Sequence, residues 1–381
     1  MTETRPLILH VIHHLVTGGM ENGLVSLVNN LPQSSFRHTI VCIEDYSDFR
    51  DRLTRSDTEV VAMQRSRIGT WRMRYRLFRM FRRLKPAIVH SRNKSGLDAL
   101  LPARLAGVRR CVHGEHGWDV GDLDGLSIKE MVLRRLHAPL VGRYVTVSRS
   151  LRDYLVERVG IRPDRITTIC NGVDTDKFRP ADHRPAGLLP ERLSGDGLVI
   201  IGTVGRLQPV KDQQTLLRAF ADVVHEDRGV AATARLVVVG DGPLLDTLTQ
   251  LAQRLGIAHL TWFPGDRTDI AQLLQSMDVF VLPSLAEGIS NTILEAMATA
   301  LPVIATRVGG NVELVQDGEN GCFFDPGDAT TLKRLLAGYL DDPRTRRRHG
   351  ERSRQLAVEN FSLKAMVESY QGAYERLMLE H

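Results

Sequence analysis

An α/β chain of two doubly wound domains is what this sequence predicts, on three observations. Its 381 residues exceed what one hydrophobic core usually serves. Short β-branched runs alternate with longer helical patterns, the signature of parallel sheets covered by helices. Between residues 179 and 197 the alternation lapses in RPADHRPAGLLPERLSGDG, a Pro- and Gly-rich stretch without periodicity that reads as a linker. Ligands of such a fold are expected at the C-terminal ends of the strands, facing a central cleft.

In the first domain, assigned to residues 1–182, strands are expected at 6–12, 38–43, 59–63, 87–91, 109–115, 144–148 and 165–170. Helical patterns fall between most of them, for instance over 19–31, 70–84 and 95–106. The second domain, 195–362, starts a new series at 198–205, 234–240, 259–263, 278–283 and 301–306. A last helix is expected over 363–381, where Met366, Tyr370, Tyr374 and Leu377 form one apolar stripe that must pack on something. The two halves share architecture but no visible sequence repeat.

The composition, 43% hydrophobic and 25% charged, is that of an ordinary globular protein. The opening run PLILHVIHHLV is short and carries three histidines, so no export signal is expected. No run approaches the roughly 20 apolar residues of a membrane-spanning helix. Cys42, Cys111, Cys170 and Cys322 are scattered, which excludes a clustered Cys-x-x-Cys zinc site and gives no disulfide framework. Reduced, buried thiols in the cytoplasm are the expectation. The net charge of +5 hides an asymmetry: residues 1–185 carry 31 Lys/Arg against 20 Asp/Glu, and the remainder 19 against 25. The positive half should attract an anionic partner.

Four places have the residue types for chemistry. In TVGRLQPVKD (203–212), a strand ends near Gly205, and Arg206 and Lys211 follow in one loop before a helix. Two cations beside a helix N-terminus suit a pyrophosphate, although a plain surface pair near a turn has the same pattern. His116, in the glycine-flanked HGEHGWD after a strand, is placed to hydrogen-bond a substrate hydroxyl or is an ordinary surface imidazole. Gly18 and Gly19 precede a helix and would let a ligand approach bare backbone N–H groups. This is not the Gly-x-Gly-x-x-Gly of a dinucleotide fold, so a nicotinamide or flavin enzyme is disfavoured. Finally, Glu287 and Glu295 flank the turn and helix start Gly288-Ile289-Ser290-Asn291-Thr292 after a buried strand. They offer acceptors for sugar hydroxyls with N–H donors between them, while the helix dipole alone also favours a glutamate there.

Gly18-Gly19, GEHG (114–117), NGVD (171–174), GRLQPVKD (205–212), VGDGP (239–243), FPG (263–265) and the E-x7-E of PSLAEGISNTILEAMA (283–298) occur in the order that resembles the retaining glycosyltransferases of family 4. Each motif is weak singly; seven in order, each at a strand-to-helix junction, are specific, and they cover about residues 8–362. The opening residues look in particular like transferases of exopolysaccharide synthesis. The resemblance implies the GT-B fold, two Rossmann-like domains facing a cleft, with a final helix crossing back to the first. It also implies roles: Arg206 and Lys211 on the donor diphosphate, Glu295 on the ribose, and Glu287 with the 288–291 backbone on the transferred sugar. His116 would bond that sugar from the other domain, and Gly18-Gly19 would approach the phosphates. Gly205, Gly265, Ile289, Ser290 and Thr292 complete the donor-binding set, with VGDGP and FPGDR bordering the base. No metal or cofactor is implied, and the leaving phosphate oxygen would take the proton of the incoming hydroxyl on the same face. UDP-sugars are preferred over GDP-sugars from family frequency. The family usually has glycine where this chain has Ala300; a slight shift of the following turn is expected, without loss of activity.

Residues 65–86, RSRIGTWRMRYRLFRMFRRLKP, hold nine Lys/Arg and no acid. As a helix they would put Met73, Leu77, Met80 and Leu84 on one stripe, Arg72, Arg76, Arg79 and Arg83 on another, and Trp71, Tyr75 and Phe78 on a third. The plain reading is a crossover helix with a solvated basic face; the sharper one is contact with anionic lipid. No nucleic-acid motif accompanies the patch. The expected protein is a metal-independent retaining transferase moving sugar from a nucleotide donor to a glycan or lipid-linked acceptor, in the cytoplasm at the inner membrane face. Its rivals are a nucleotide-sugar epimerase or glycosyl phosphorylase of the same fold, and a non-catalytic nucleotide-binding protein on the membrane. The sequence leaves the oligomeric state open.

Overall fold

The computed structural model describes residues 5–117, 122 and 125–379, as two compact units. The first comprises the chain to Gly172 together with Leu363 onward, and the second Val173–Ser362.

The first unit is built on a seven-stranded parallel sheet: β1 (Leu7–Ile12), β2 (Arg37–Cys42), β3 (Glu59–Ala62), β4 (Ile88–Arg92), β5 (Cys111–Glu115), β6 (Arg143–Thr146) and β7 (Ile166–Thr168). They lie in the order β3-β2-β1-β4-β5-β6-β7. All seven expected strands form. Their apolar runs are continuous because helices cover both faces, and every residue of β1, β4 and β5 is buried. Helix Leu363–Leu379 closes this core: Met366, Val367, Tyr370, Tyr374 and Leu377 pack with Ile8, Leu27, Ile88 and Val112. Polar contacts fix it further, with Tyr374 Oη 2.7 Å from His90 Nδ1 and Arg110 donating to the carbonyls of Leu377 and Met378.

The second unit holds a six-stranded parallel sheet: β8 (Val199–Val204), β9 (Ala234–Val239), β10 (Thr261–Gly265), β11 (Val279–Leu282), β12 (Val303–Thr306) and β13 (Gly321–Phe324), in the order β10-β9-β8-β11-β12-β13. β13 is absent from the sequence reading. Its GCFF lacks a β-branched run, and pairing to β12 from Val303↔Gly321 to Thr306↔Phe324 holds it in place. By packing, the chain divides between Gly172 and Val173, ahead of the boundaries assigned from the sequence. The 179–197 stretch is no free linker, because Leu193 is fully buried and Arg184 pairs with Asp278 and donates to Leu198. Arg354 ties down the chain just before it by donating to the carbonyls of Thr175 and Phe178, and also donates to that of Ala298.

Helix Thr70–Leu84 forms over the basic segment, but its buried residues are Met73, Leu77 and Phe81. Met80 and Leu84 are only partly buried, so the apolar face sits slightly round from the predicted stripe. Helix Asn291–Ala298 ends in two reversed hydrogen bonds, Ala300 N–H to Met297 and Leu301 N–H to Ala296. This end motif demands a left-handed residue, and Ala300 adopts φ 63°. Such a conformation costs an L-residue roughly 1–2 kcal/mol, partly offset in glycine by a larger unfolded-state entropy. Ala300→Gly should therefore stabilise by about 0.5–1 kcal/mol, raising Tm by roughly 1–4 °C in a thermal melt. An unchanged or lower Tm would contradict the strain.

Cys42 and Cys111 are buried, as expected, and Cys170 and Cys322 only partly so. No helix among the described residues is long and apolar enough to cross a membrane.

Candidate active site

In each sheet the strand order reverses once, between β1 and β4 in the first unit and between β8 and β11 in the second. The loops leaving such a neighbouring pair diverge to opposite faces and open a crevice at the strand ends. The predicted residues gather at these two places, Gly18, Gly19 and His116 in the first unit and the rest in the second.

In the second unit the loop after β8 meets the loop after β11. Leu285 N–H donates to the Val210 carbonyl at 2.8 Å. Beside that bond Lys211 Nζ lies 2.5 Å from Glu287 Oε1, with the two side chains 20% and 10% exposed. Expected to have separate tasks, these residues join in one largely buried ion pair. A lysine ammonium has three donors, so Lys211 can hold Glu287 and still reach an anion. Arg206 on the same loop is exposed and makes no ion pair among the described residues, while its carbonyl accepts from Gln213 Nε2 at 3.1 Å.

Glu287 is set by glycines that the sequence reading passed over. Gly309, at φ 48°, packs so closely on the Glu287 carbonyl that any Cβ would overlap it. Gly310 N–H donates to the Gly288 carbonyl at 3.0 Å. The available signal was the Gly-Gly of RVGGNVEL directly after β12, a pair suited to close backbone approach. The glycines of VGDGP act likewise: Gly240 and Gly242 press on the backbones of Gly205 and Leu207, and Gly240 N–H donates to Gly265 at 2.9 Å. Gly205 and Gly265 thereby belong to one laced rim over β8, β9 and β10.

Ser290 caps helix Asn291–Ala298, its Oγ accepting from Ile293 N–H at 3.3 Å and standing 3.1 Å from Thr292 Oγ1. Ile289 turns its side chain inward and is 8% exposed, which leaves its backbone for any ligand. Glu295 lies one turn into the helix, partly buried. Burial lifts its carboxyl to about 7, with Lys177 pulling the other way. Gln213 Oε1, at the start of the helix after β8, and Ser284 Oγ, in the loop after β11, are buried without a hydrogen-bond partner among the described residues.

In the first unit Gly18 is the N-cap of helix Gly19–Asn30, so Gly19 is its first residue rather than part of the preceding turn. The Glu21 side chain folds over Gly18 at that helix start. His116 follows β5, and its backbone N–H donates to Asn93 Oδ1 at 2.7 Å. Asn93, after β4 at φ 50°, also extends its amide toward Met20 Sδ at 3.8 Å, so one side chain links the ends of β4 and β5 to the start of helix Gly19–Asn30. The sequence reading missed it, although asparagine is a residue that tolerates the left-handed region. The His116 ring folds back over Gly114, its Nε2 buried and without a partner among the described residues. Burial and then the Arg92 guanidinium push its pKa down to about 3, so the imidazole is neutral near pH 7. His113, the alternative on β5, is engaged by Ser91 Oγ at 2.8 Å. Trp118 and Asp119 of the same HGEHGWD lie outside the described residues.

The model of the family described as "Glycosyltransferase Family 4" matches residues 17–177, and that of "Glycosyl transferases group 1" matches 190–356. The chain is 28% identical to the Escherichia coli UDP-Gal:alpha-D-GlcNAc-diphosphoundecaprenol alpha-1,3-galactosyltransferase, over 90% of this chain and 89% of that one. It is 34% identical to the GDP-mannose-dependent alpha-(1-6)-phosphatidylinositol monomannoside mannosyltransferase of Mycolicibacterium smegmatis, over 68% of each. Other relatives match over little more than half of their own length. Among solved structures, Anabaena HepE in complex with UDP and glucose superposes with a TM-score of 0.80 at 21% identity, covering 97% of this chain and 100% of that one. That likeness shows the fold, two parallel sheets of the GT-B type. With both halves matched by transferase families and a relative above 30% identity over two thirds of each chain, this protein belongs to the glycosyltransferases of family 4.

Proposed function

We propose that this glycosyltransferase moves a sugar from a UDP-sugar to a lipid-linked or other glycan acceptor, with retention and without a metal, in exopolysaccharide or related surface-polysaccharide assembly at the inner membrane face. The observation that carries the reading is the Lys211–Glu287 pair at the reversal of the second sheet, with Arg206 open beside it. Arg206 and Lys211 supply the cations that offset charge on a leaving diphosphate. Glu287, held by Lys211 and Gly309, presents an acceptor to the sugar, and Glu295 presents one to the ribose. In the transfer, the acceptor oxygen bonds to the anomeric carbon as the carbon–phosphate oxygen bond breaks, and the acceptor proton passes to the departing phosphate. His116, neutral, donates or accepts a hydrogen bond at a sugar hydroxyl without changing charge. The Escherichia coli relative, named for UDP-Gal and a diphosphoundecaprenol-linked sugar, supports this pairing of donor and acceptor classes.

The test is turnover of UDP- and GDP-sugars with and without an undecaprenyl-diphosphate-linked sugar, in buffer containing EDTA. Nucleotide release that needs the acceptor, is faster from the UDP donor, persists in EDTA and yields product of unchanged anomeric configuration is expected. Release driven by inorganic phosphate instead would make the protein a phosphorylase, and loss of activity in EDTA would overturn metal independence.

A further inference from the structure

Eight of the thirteen exposed large hydrophobic side chains among the described residues fall between Trp71 and Leu136, on one part of the first unit. Helix Ile128–His137 has its apolar stripe on the wrong side for a core helix. Ile128, Val132 and Leu136, spaced by four, are 74%, 45% and 71% exposed, while Glu130 and Arg134 on the opposite face are buried. Helix Leu100–Leu105 turns out Leu105 at 65% and, one turn earlier, Leu101 at 44%. A cleft of about 410 Å³ joins these surfaces, lined by Leu101 and Leu136 and by Arg74 of helix Thr70–Leu84. Arg74 is anchored there by Asp98 at 2.5 Å and lies under the ring of Trp71 at 5.4 Å, which brings the 79%-exposed Trp71 to the same place. Tyr75 follows one turn on, 61% exposed.

The charge around this apolar area has one sign. Arg72, Arg76, Arg79, Arg82 and Arg83 are exposed along helix Thr70–Leu84, and Lys129 and Arg135 stand between the exposed apolar residues of helix Ile128–His137. The described residues from 65 to 140 include four acids, Asp98, Glu115, Asp122 and Glu130. Three are consumed by cations, Asp98 by Arg65 and Arg74, Glu115 by Arg134, and Glu130 by Lys94 and Arg134, while Asp122 accepts from the Ser127 backbone N–H. The described part of this surface is therefore apolar at its centre and cationic at its margin, with Asp122 its one carboxylate outside an ion pair.

We infer that helices Thr70–Leu84, Leu100–Leu105 and Ile128–His137 together form a docking surface for an anionic lipid bilayer, with Trp71, Leu105, Ile128 and Leu136 entering the headgroup boundary and the arginines resting on lipid phosphates. This rests on the proposed lipid-linked acceptor only for its purpose, and on the structure for its geometry. Interfacial proteins combine those two terms, apolar insertion and cationic attraction, whereas a folded protein partner with matching acidic groups would not need the apolar stripe to stand clear on three helices. The surface extends beyond the basic helix, since two of its three apolar contributors lie outside residues 65–86.

The experiment is sedimentation of the full chain with vesicles of phosphatidylcholine alone and of equal parts phosphatidylcholine and phosphatidylglycerol, with Trp71 emission recorded against Trp71→Phe. Binding to the anionic vesicles, weakened by salt and accompanied by a blue shift that Trp71→Phe removes, is expected. The triple change R72Q/R76Q/R79Q should lower partitioning roughly 100-fold, from about 5-fold per arginine at an anionic surface. I128S/L136S should lower it about 10-fold, through lost apolar burial. Equal binding to both vesicle types, or full binding by both variants, would overturn the inference. So would a dimer in analytical ultracentrifugation that I128S/L136S dissolves, because the stripe would then be a protein interface. UDP-induced thermal shift, measured on the same samples, separates the two proposals. A shift without vesicle binding defeats the surface alone, and vesicle binding with no nucleotide shift defeats the transferase reading alone.

Discussion

Lys211→Ala is expected to lower kcat by about 10²–10³-fold, the range seen when one preorganised electrostatic group is removed from a developing negative charge. The same change strands Glu287. Its carboxylate is 10% exposed and loses its ion-pair partner, which costs about 1–3 kcal/mol of stability. Two effects are thus superposed, and a second variant separates them. Lys211→Ala combined with Glu287→Ala removes both charges, so the melting temperature should recover toward wild type while turnover stays low. Kinetics and thermal melts on the two variants and on Glu287→Ala complete a double-mutant cycle. Near-normal kcat in Lys211→Ala would remove this pair from the chemistry. A melting temperature that does not recover in the double variant would mean that the loop depends on Lys211 for more than charge.

Glu295→Gln should make the protein more stable and worse at binding its donor. The folded carboxyl titrates near 7 against an ordinary 4.5, burial being the main cause. Between those values the folded state binds more protons than the unfolded one, so this group's contribution to stability falls as pH rises from about 4.5 to about 7 and is level above. Glutamine relieves that cost only where the glutamate is ionised. A gain of about 1–2 kcal/mol is expected at pH 8 and almost none at pH 5, discounted from the full shift because Glu295 is partly exposed. In the proposed complex, ribose hydroxyls donate to the ionised form. Donor affinity in the wild type should therefore rise with pH through about 7, and Glu295→Gln should weaken it by roughly 10–100-fold and flatten that dependence. Calorimetric titration of UDP at pH 6 and 8 measures both. An affinity that is equal at the two pH values would show that Glu295 does not meet the nucleotide.

Strands were legible wherever β-branched runs end in glycine or a polar turn, as in VIIGTV and LVVV, because burial on both faces of a parallel sheet writes itself into composition. GCFF in β13 carries no such signature and is a strand only through its neighbour. Site residues were legible by chemical type and by order along the chain. Their mutual arrangement was not: nothing in the spacing of 76 positions says that Lys211 and Glu287 touch. Gly309 and Asn93 escaped notice because their task is to let backbone come close or to hold it in a left-handed turn, and neither has a reactive group to advertise it. The outward stripe of helix Ile128–His137 escaped for the opposite reason, since an apolar stripe at helical spacing is ordinarily core.

The bond between His90 and Tyr374 spans 284 positions, and it joins the first unit's central sheet to a helix near the end of the chain. During synthesis, the residues of the second unit, Val173–Ser362, are all made before that helix emerges. The second unit is continuous in sequence and can fold as soon as it clears the ribosome. The first, although translated earlier, must wait with the groove over Ile8, Ile88 and Val112 uncovered until residues 363–379 arrive. The order of completion in the cell is therefore the reverse of the order of translation. The interval in which a chaperone has apolar surface to hold is set by the time needed to make the other half.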